Sequence, residues 1–187
     1  MYNKKAYIDM TRKWKLSREK AGSIVDAKSI IINRQQFFVN NKNKINHKNN
    51  ETLIALLLVK SFGGNLQYLP DIGEIDGYRL GDFYYKNEIW EAKELGINAK
   101  SKTRAIDNLL KSSKGQANNF VIDITNCKIN KRIIIKQIKK IYSTKNRYLI
   151  NIIIVFKKNK VLKVYYRNNK RDWHPLHRCG VRPISQM

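Results

Sequence analysis

The most regular pattern in the chain is a helical one. The run from Glu51 to Phe62 is apolar on most of its surface, so a helix there should be largely buried. Asn50 is placed to cap it, and Gly63-Gly64 to stop it, because glycine accepts the left-handed conformation. Spacings of four and seven put Glu51 on the face of Ala55, Leu58 and Phe62. An irregular connection with Pro70, Gly73 and Gly77 follows, and it contains a short strand at Leu66–Leu69. Two strand-like runs come next, Asp82–Tyr85 and Glu88–Glu94. Ser101–Asn118 reads as an amphipathic helix with Ile106, Leu109 and Leu110 inward, Phe120–Ile124 as a buried strand, and Ile129–Tyr142 as a basic amphipathic helix. Tyr148–Phe156 and Val161–Tyr166 suit a hairpin around Lys157–Lys160. This order predicts an α/β sandwich with a mixed central sheet flanked by helices.

The pattern is weaker at both ends. Residues 1–34 mix aromatics, lysines and short apolar runs. Phe37-Phe38-Val39 suits a short strand, and Asn40 to Asn50 reads as a loop. The expected organisation is an N-terminal extension over 1–45, one domain over 46–167 and a basic tail over 168–187. A chain of 187 residues can bury a core without disulfides. Cys127 and Cys179 have no metal-binding spacing and make no disulfide framework. No apolar stretch follows the basic N-terminus, so no signal peptide is expected. No apolar run reaches the roughly 18 to 20 residues needed to cross a bilayer, and Ile152 to Phe156 is strand-sized, so no membrane span is expected.

Charge narrows the function. Lys plus Arg is 38 against 14 for Asp plus Glu, a formal charge of +24. A surplus of that size points to a polyanionic partner, nucleic acid ahead of an anionic membrane surface. A compositional bias toward Lys, Asn and Ile explains part of the lysine excess but not the shortage of acids. Lys136, Lys139, Lys140, Lys145 and Arg147 are candidates for tracking phosphates, with a solvated face as the alternative. Tyr2, Tyr7 and Trp14 interleave with cations and suit either a stacking surface or, more commonly, core packing. His174, His177 and Cys179 lack a fourth zinc ligand and fit a basic tail better.

The few acids are not scattered. Half of them lie between Asp71 and Glu94: Asp71, Glu74, Asp76, Asp82, Glu88, Glu91 and Glu94. A solvated acidic patch is the plain explanation, and strand geometry argues against it for two of them. A two-residue turn at Lys86-Asn87 sets Tyr85 against Glu88, Phe83 against Trp90 and Asp82 against Glu91. Facing carboxylates repel, and a hard divalent cation removes that penalty. Lys93 follows Glu91 by two and so shares its face. Two acids and an ammonium would then converge, a set suited to hydrolysing a phosphodiester with Mg2+ or Mn2+. Glu51 can complete the shell of the metal, or simply favour the helix N-terminus on which it sits.

These residues, taken in order, resemble a known group. Phe38-Val39-Asn40, Asn50-Glu51, Gly63-Gly64, Leu69-Pro70, Gly81-Asp82-Phe83 and Ile89-Trp90-Glu91-Ala92-Lys93 carry the likeness, with Ser101-Lys102-Thr103 and the run from Lys114 to Ile124. The hairpin from Asn151 to Tyr166 fits as well, so the likeness covers roughly 130 residues. The chain resembles PD-(D/E)xK nuclease domains at the C-termini of contact-dependent growth inhibition toxins and of some phage minor capsid (head morphogenesis) proteins. The resemblance implies a restriction-endonuclease-like core and a metal-dependent nuclease, for the toxin members one acting on tRNA. It implies Glu51, Asp82, Glu91 and Lys93 as the catalytic set, with Asp82, Glu91 and Glu51 holding the metal. Substrate-binding residues would be Lys102, Thr103, Arg104 and Gln116; Gln116 can equally orient Lys93 or be an ordinary helix-end residue. Family members often carry Pro where this chain has Gly81, which leaves Pro70-Asp71 as a rival for the acid position. A toxin would act in the cytoplasm of a target or host cell, delivered with its carrier or a phage particle, and would have a dedicated acidic immunity protein. The alternatives are a DNA endonuclease of the same fold and a non-catalytic nucleic-acid-binding domain.

Overall fold

The computed structural model describes residues 6–32, 35–39, 45, 48–71, 80–97, 99, 103–113, 116–143, 150–168 and 182–183. Lys102, Glu74, Asp76, Lys145, Arg147, Tyr2, His174, His177 and Cys179 lie outside those residues. The elements run β1 (Tyr7–Asp9), α1 (Thr11–Leu16), β2 (Ala21–Asp26), β3 (Ser29–Ile32), β4 (Gln35–Phe38), α2 (Asn49–Phe62), β5 (Gly64–Tyr68), β6 (Phe83–Tyr85) and β7 (Glu88–Glu94). They continue with α3 (Ala105–Lys111), β8 (Asn119–Asp123), α4 (Lys131–Ser143), β9 (Ile152–Lys157), β10 (Lys160–Arg167) and β11 (Arg182–Pro183).

Eight strands form one mixed sheet in the order β1-β10-β9-β8-β7-β6-β5-β2, and β11-β3-β4 form a smaller one. The centre, β7-β8-β9, is parallel, with α3 and α4 as the intervening connections. Both faces of that centre are covered, which is why β8 reads as an unbroken apolar run. Val121 and Ile154 join Trp90, Ala92 and the buried face of α2. Phe120, Ile122, Ile153 and Val155 pack on the other side with Ile106, Leu110, Ile134 and Ile138 of α3 and α4. This is the mixed α/β sheet flanked by helices that the pattern predicts.

Local differences from the expected elements have physical causes. α2 begins at Asn49 with Lys48 as its N-cap and no side-chain cap bond, so Asn50 lies inside the helix and does not cap it. Gly63 closes α2 at φ 70°, and a Cβ there would meet the Glu19 carbonyl oxygen at 2.1 Å. Leu53 and Leu56 of α2 remain exposed. The helix expected over 101–118 shrinks to α3; its C-terminal turn already holds Ser112 and Ser113. Both hairpin turns, Lys86-Asn87 and Lys158-Asn159, have two successive residues at positive φ (50° and 61°, 49° and 59°), the geometry whose twist matches paired strands.

The described part of 1–45 is woven into the fold instead of extending from it. β1 pairs with β10 at one edge of the main sheet, and β2 pairs in parallel with β5 at the other. From α1, Trp14 packs edge-on against Phe62 (4.8 Å between centroids) and Trp90 (6.1 Å), and its indole N–H donates to the Tyr166 hydroxyl at 2.7 Å. Tyr7 packs against Tyr165 and Tyr142. These aromatics serve the core, not a stacking surface. The tail returns as well, since Arg182 and Pro183 pair with Ile31 and Ile30.

Trp14→Ala should therefore destabilise the whole domain by about 3 kcal/mol, the scale of losing a packed aromatic side chain. Urea unfolding would show this as a lower midpoint in a single transition. An unchanged midpoint would mean that this segment is an appendage after all.

Candidate active site

The strand pair β6–β7 has the register expected from its turn: Tyr85 faces Glu88, Tyr84 faces Ile89 and Phe83 faces Trp90. The ladder stops one residue short of Asp82. There the Asp82 N–H donates to the Trp90 carbonyl at 2.9 Å, one step off the pairing of Phe83 with Trp90. Its carbonyl accepts from the Leu69 N–H at 3.0 Å. Its side chain crosses to β7, where Oδ2 accepts from the Ala92 N–H at 2.6 Å. Asp82 thus binds the backbone between Glu91 and Lys93 instead of standing squarely opposite Glu91.

Gly81 makes this approach possible. A Cβ at that position would stand 2.5 Å from the Trp90 carbonyl oxygen and 3.0 Å from Ile89 Cγ2, so only glycine lets the chain lie this close to β7.

Glu91 and Lys93 share the face of β7 that looks toward α3, as their pairing with Phe120 and Ile122 requires. Glu91 is 3% exposed. Its Oε1 receives Lys93 Nζ at 2.6 Å and the Ser113 hydroxyl at 3.1 Å. Its Oε2 is buried with no donor among the described residues. Burial, opposed by Lys93 and Ser113 and reinforced by Glu51, raises the Glu91 pKa. Burial first, then the charge of Glu91, pushes the Asp82 pKa up to about 7, and Glu51 adds to the effect.

Glu51 sits in the first turn of α2, 8% exposed, with Lys48 Nζ at 2.9 Å from its Oε1. The Glu51 carboxylate in turn raises the Lys48 pKa, to which the charges of Asp82 and Asp71 also contribute. Asp71, the rival acid, is exposed and acts on Lys48 from outside the buried pair. The structure therefore gathers Glu51, Asp82, Glu91 and Lys93 within electrostatic reach of one another. Glu88 and Glu94 of the acidic run hold Asn119 and Asn126 instead.

The substrate-binding candidates divide. Gln116 follows Ser113 in a turn (Gln116 N–H to Ser113 carbonyl, 3.2 Å), which keeps it in the segment that touches Glu91, and its Oε1 is buried without a donor among the described residues. Thr103 and Arg104 are exposed before the start of α3, roughly 10 Å of helix away from the Ser113 end. Two contacts were missed by sequence reasoning. Lys48 stands three before Glu51, a helical neighbour spacing that was there to read. Nothing in the sequence distinguishes Ser113 from Ser112.

The donors suit a hard divalent cation in kind: carboxylate oxygens, one of them buried and unpartnered, with the pKa values of Asp82 and Glu91 raised by burial and by neighbouring acids. Among the described residues no group of three His, Cys, Asp or Glu side chains is gathered tightly enough to form a metal site. Here the ammonium groups of Lys93 and Lys48 supply the compensating charge to Glu91 and Glu51.

Residues 79–161, less than half of the chain, match the family model of the contact-dependent growth inhibition CdiA C-terminal domain. That span holds Asp82, Glu91, Lys93, Thr103, Arg104 and Gln116 and leaves out Glu51. Among solved structures, a chain of a CdiA-CT/CdiI toxin and immunity complex from Burkholderia pseudomallei is similar at 20% identity, over 60% of this chain and 80% of that one, with a TM-score of 0.43. No curated protein matches the chain. The resemblance to contact-dependent growth inhibition toxin domains read from the motifs is shown by the family match over that span.

Two predictions test this geometry. Gly81→Ala should force the Asp82 segment off β7 and cost about 1–3 kcal/mol in chemical denaturation, the scale of overpacking a close contact; an unaffected midpoint would mean that the approach is not tight. The second concerns pH. Asp82 titrates near 4 in the unfolded chain and about 7 in the folded one. Between those values the folded state retains a proton that the unfolded state has lost, so stability falls as pH rises through that window. In EDTA, Asp82→Asn should be the more stable protein at pH 8, and the gap should close toward pH 4. A constant difference in Tm across the range would show that Asp82 is not the titrating group.

Proposed function

We propose that this chain is a metal-dependent nuclease, a toxin-type domain that hydrolyses phosphodiester bonds in RNA, with tRNA as the foremost substrate. The observation that carries the reading is Asp82 bound to the backbone N–H between Glu91 and Lys93, which brings a half-buried acid beside the buried acid and the ammonium of β7. A structural ion pair needs one acid and one base. The second acid is held beside the first by one backbone N–H although burial and then the charge of Glu91 raise its pKa, an arrangement that stability alone does not call for.

Asp82 and Glu91, with Glu51 beside them, would hold Mg2+ or Mn2+. When bound, that ion would polarise the phosphoryl oxygens and lower the pKa of a water. The chain's own contribution is positional. Ala92 N–H fixes the Asp82 carboxylate, and Ser113 fixes the Glu91 carboxylate. Lys93, one-quarter exposed, presents an ammonium able to stabilise charge that develops on a phosphate oxygen. The surplus of +24 draws the polyanion to the protein. The choice of RNA, and of action inside a target cell, rests on the resemblance to toxin-borne tRNA nucleases; the family match supports the growth-inhibition toxin part of that reading. The same match and the same charge motivate an acidic immunity protein as the natural partner.

The test is a panel of tRNA, total RNA, plasmid and single-stranded DNA incubated with the protein and Mg2+. Cleavage of tRNA that EDTA abolishes is expected; cleavage of plasmid alone would turn the reading into a DNA endonuclease. Glu91→Gln and Lys93→Ala should each lose on the order of 100-fold or more in rate while retaining the far-ultraviolet dichroism of the fold. Asp82→Asn should behave alike and Asp71→Asn should be mild. Mg2+ should raise the Tm of the wild type at pH 8 and leave that of Asp82→Asn unmoved. Full turnover by folded Lys93→Ala would remove the lysine from the mechanism.

A further inference from the structure

Away from the carboxylates, the carboxyl ends of β8 and β9 open onto a cavity of about 860 Å3. Its lining includes Lys128, Lys131, Arg132, Lys157, Lys158 and Lys160, and no acidic side chain among the described residues. Buried Cys127 and Ile129 lie at its base. Two elements build the walls. One is the start of α4, where the Asn130 side chain accepts the Arg132 N–H at 2.8 Å and its carbonyl accepts the Ile133 N–H at 2.9 Å. The other is the β9–β10 turn, pinned by the Lys158 N–H donating to the Thr125 hydroxyl at 2.8 Å.

This placement of charge opposes the stability of the free protein. The N-terminus of a helix carries partial positive charge, and acids there are favourable. α4 has no acid in its first turn and begins with Lys131 and Arg132, with Lys128 just before. Each cation sits where the helix dipole repels it, facing three more across the cavity. A multiply charged anion relieves all of these repulsions at once; the Arg132 and Ile133 N–H groups are already taken by Asn130, so the cationic side chains carry the attraction.

We propose that this cavity is a second phosphate subsite, which binds the RNA backbone a few nucleotides from the bond that is cut. The proposal rests on the reading of the chain as an RNA-directed nuclease. Strand spacing sets the distance. Lys93 is level with Ile122 and Val155, so Lys157 lies two strands across and two residues further, on the order of 12 Å backbone to backbone. The cavity and the Glu91–Lys93 pair lie on the same side of the sheet, because Ile129 and Leu162 join the cluster under α3 and α4 toward which Glu91 faces. A strand of RNA running along the carboxyl ends of β7, β8 and β9 engages both.

The test compares two triple variants of equal charge loss, both at exposed positions: Lys128→Gln/Lys131→Gln/Lys160→Gln in the cavity and Lys13→Gln/Lys15→Gln/Lys20→Gln around α1. Binding of a fluorescent single-stranded RNA is measured by anisotropy in EDTA, so that no cleavage intervenes, over a series of salt concentrations. The cavity variant should lose about two units of the slope of log affinity against log salt, since each phosphate contact on a single strand contributes about 0.7. The control should lose less than one. The cavity variant should also have the higher Tm without RNA, because repulsion at the α4 terminus is relieved. Equal losses of slope in the two variants would reduce the effect to net charge and overturn the subsite. An unchanged slope in the cavity variant would overturn it too, and would leave the nuclease reading intact. Failure of the wild type to bind any RNA would overturn both.

Discussion

Two carboxylates of like charge, Asp82 and Glu91, are held at the buried end of one strand pair, and most of the surrounding arrangement can be understood as what makes that tolerable. Burying an acid raises its pKa, and burying a second one nearby raises it further. The protein answers with a backbone N–H for Asp82, a hydroxyl and an ammonium for Glu91, and a second ammonium, Lys48, for the neighbouring Glu51. These answers come from three places: β7 itself, the turn after α3, and the residue that precedes α2. The sheet order sets these elements side by side. The site is therefore a property of the fold and not of a local motif.

What the sequence made legible is whatever depends on alternation over a few residues. The β6–β7 pairing followed from period two and a two-residue gap, although Lys86-Asn87 lacks the glycine that normally marks such a turn. Glu91 and Lys93 on one face followed in the same way. What stayed hidden depends on partners distant in sequence or on terminal geometry. Asp82 leaves the ladder because Gly81 lets the chain approach Trp90, and only the three-dimensional contact reveals that. Ser113 touches Glu91 because α3 stops early, and the apolar spacing over 101–118 does not say where it stops.

The first forty residues were hardest to read, for a physical reason. β2 has the burial pattern of an exposed edge, without the in–out alternation that identifies a half-buried strand, and its partner β5 lies some forty residues later in parallel pairing. β1 is a three-residue strand whose partner is β10. Neither leaves a local signature. Tyr7 and Trp14, aromatics among cations, hinted at burial, and core packing is what they do.

The distribution of acids bears on why the protein tolerates its charge. Asp9 pairs with Lys163 at 2.7 Å, Glu19 with Lys86, Glu51 with Lys48 and Glu91 with Lys93. Asp9–Lys163 and Glu19–Lys86 join separate segments while Glu51–Lys48 and Glu91–Lys93 lie within one, and in all four an acid is spent on a single neighbouring cation. Burial on both faces of the central strands supplies the cohesion that withstands this repulsion. A protein selected for stability alone would place acids at the start of α4 and between the lysines of the β9–β10 turn. Both places carry cations only. The stability forgone there is best understood as stored affinity for a polyanion, recovered when phosphate oxygens take the positions that acidic side chains would otherwise have filled.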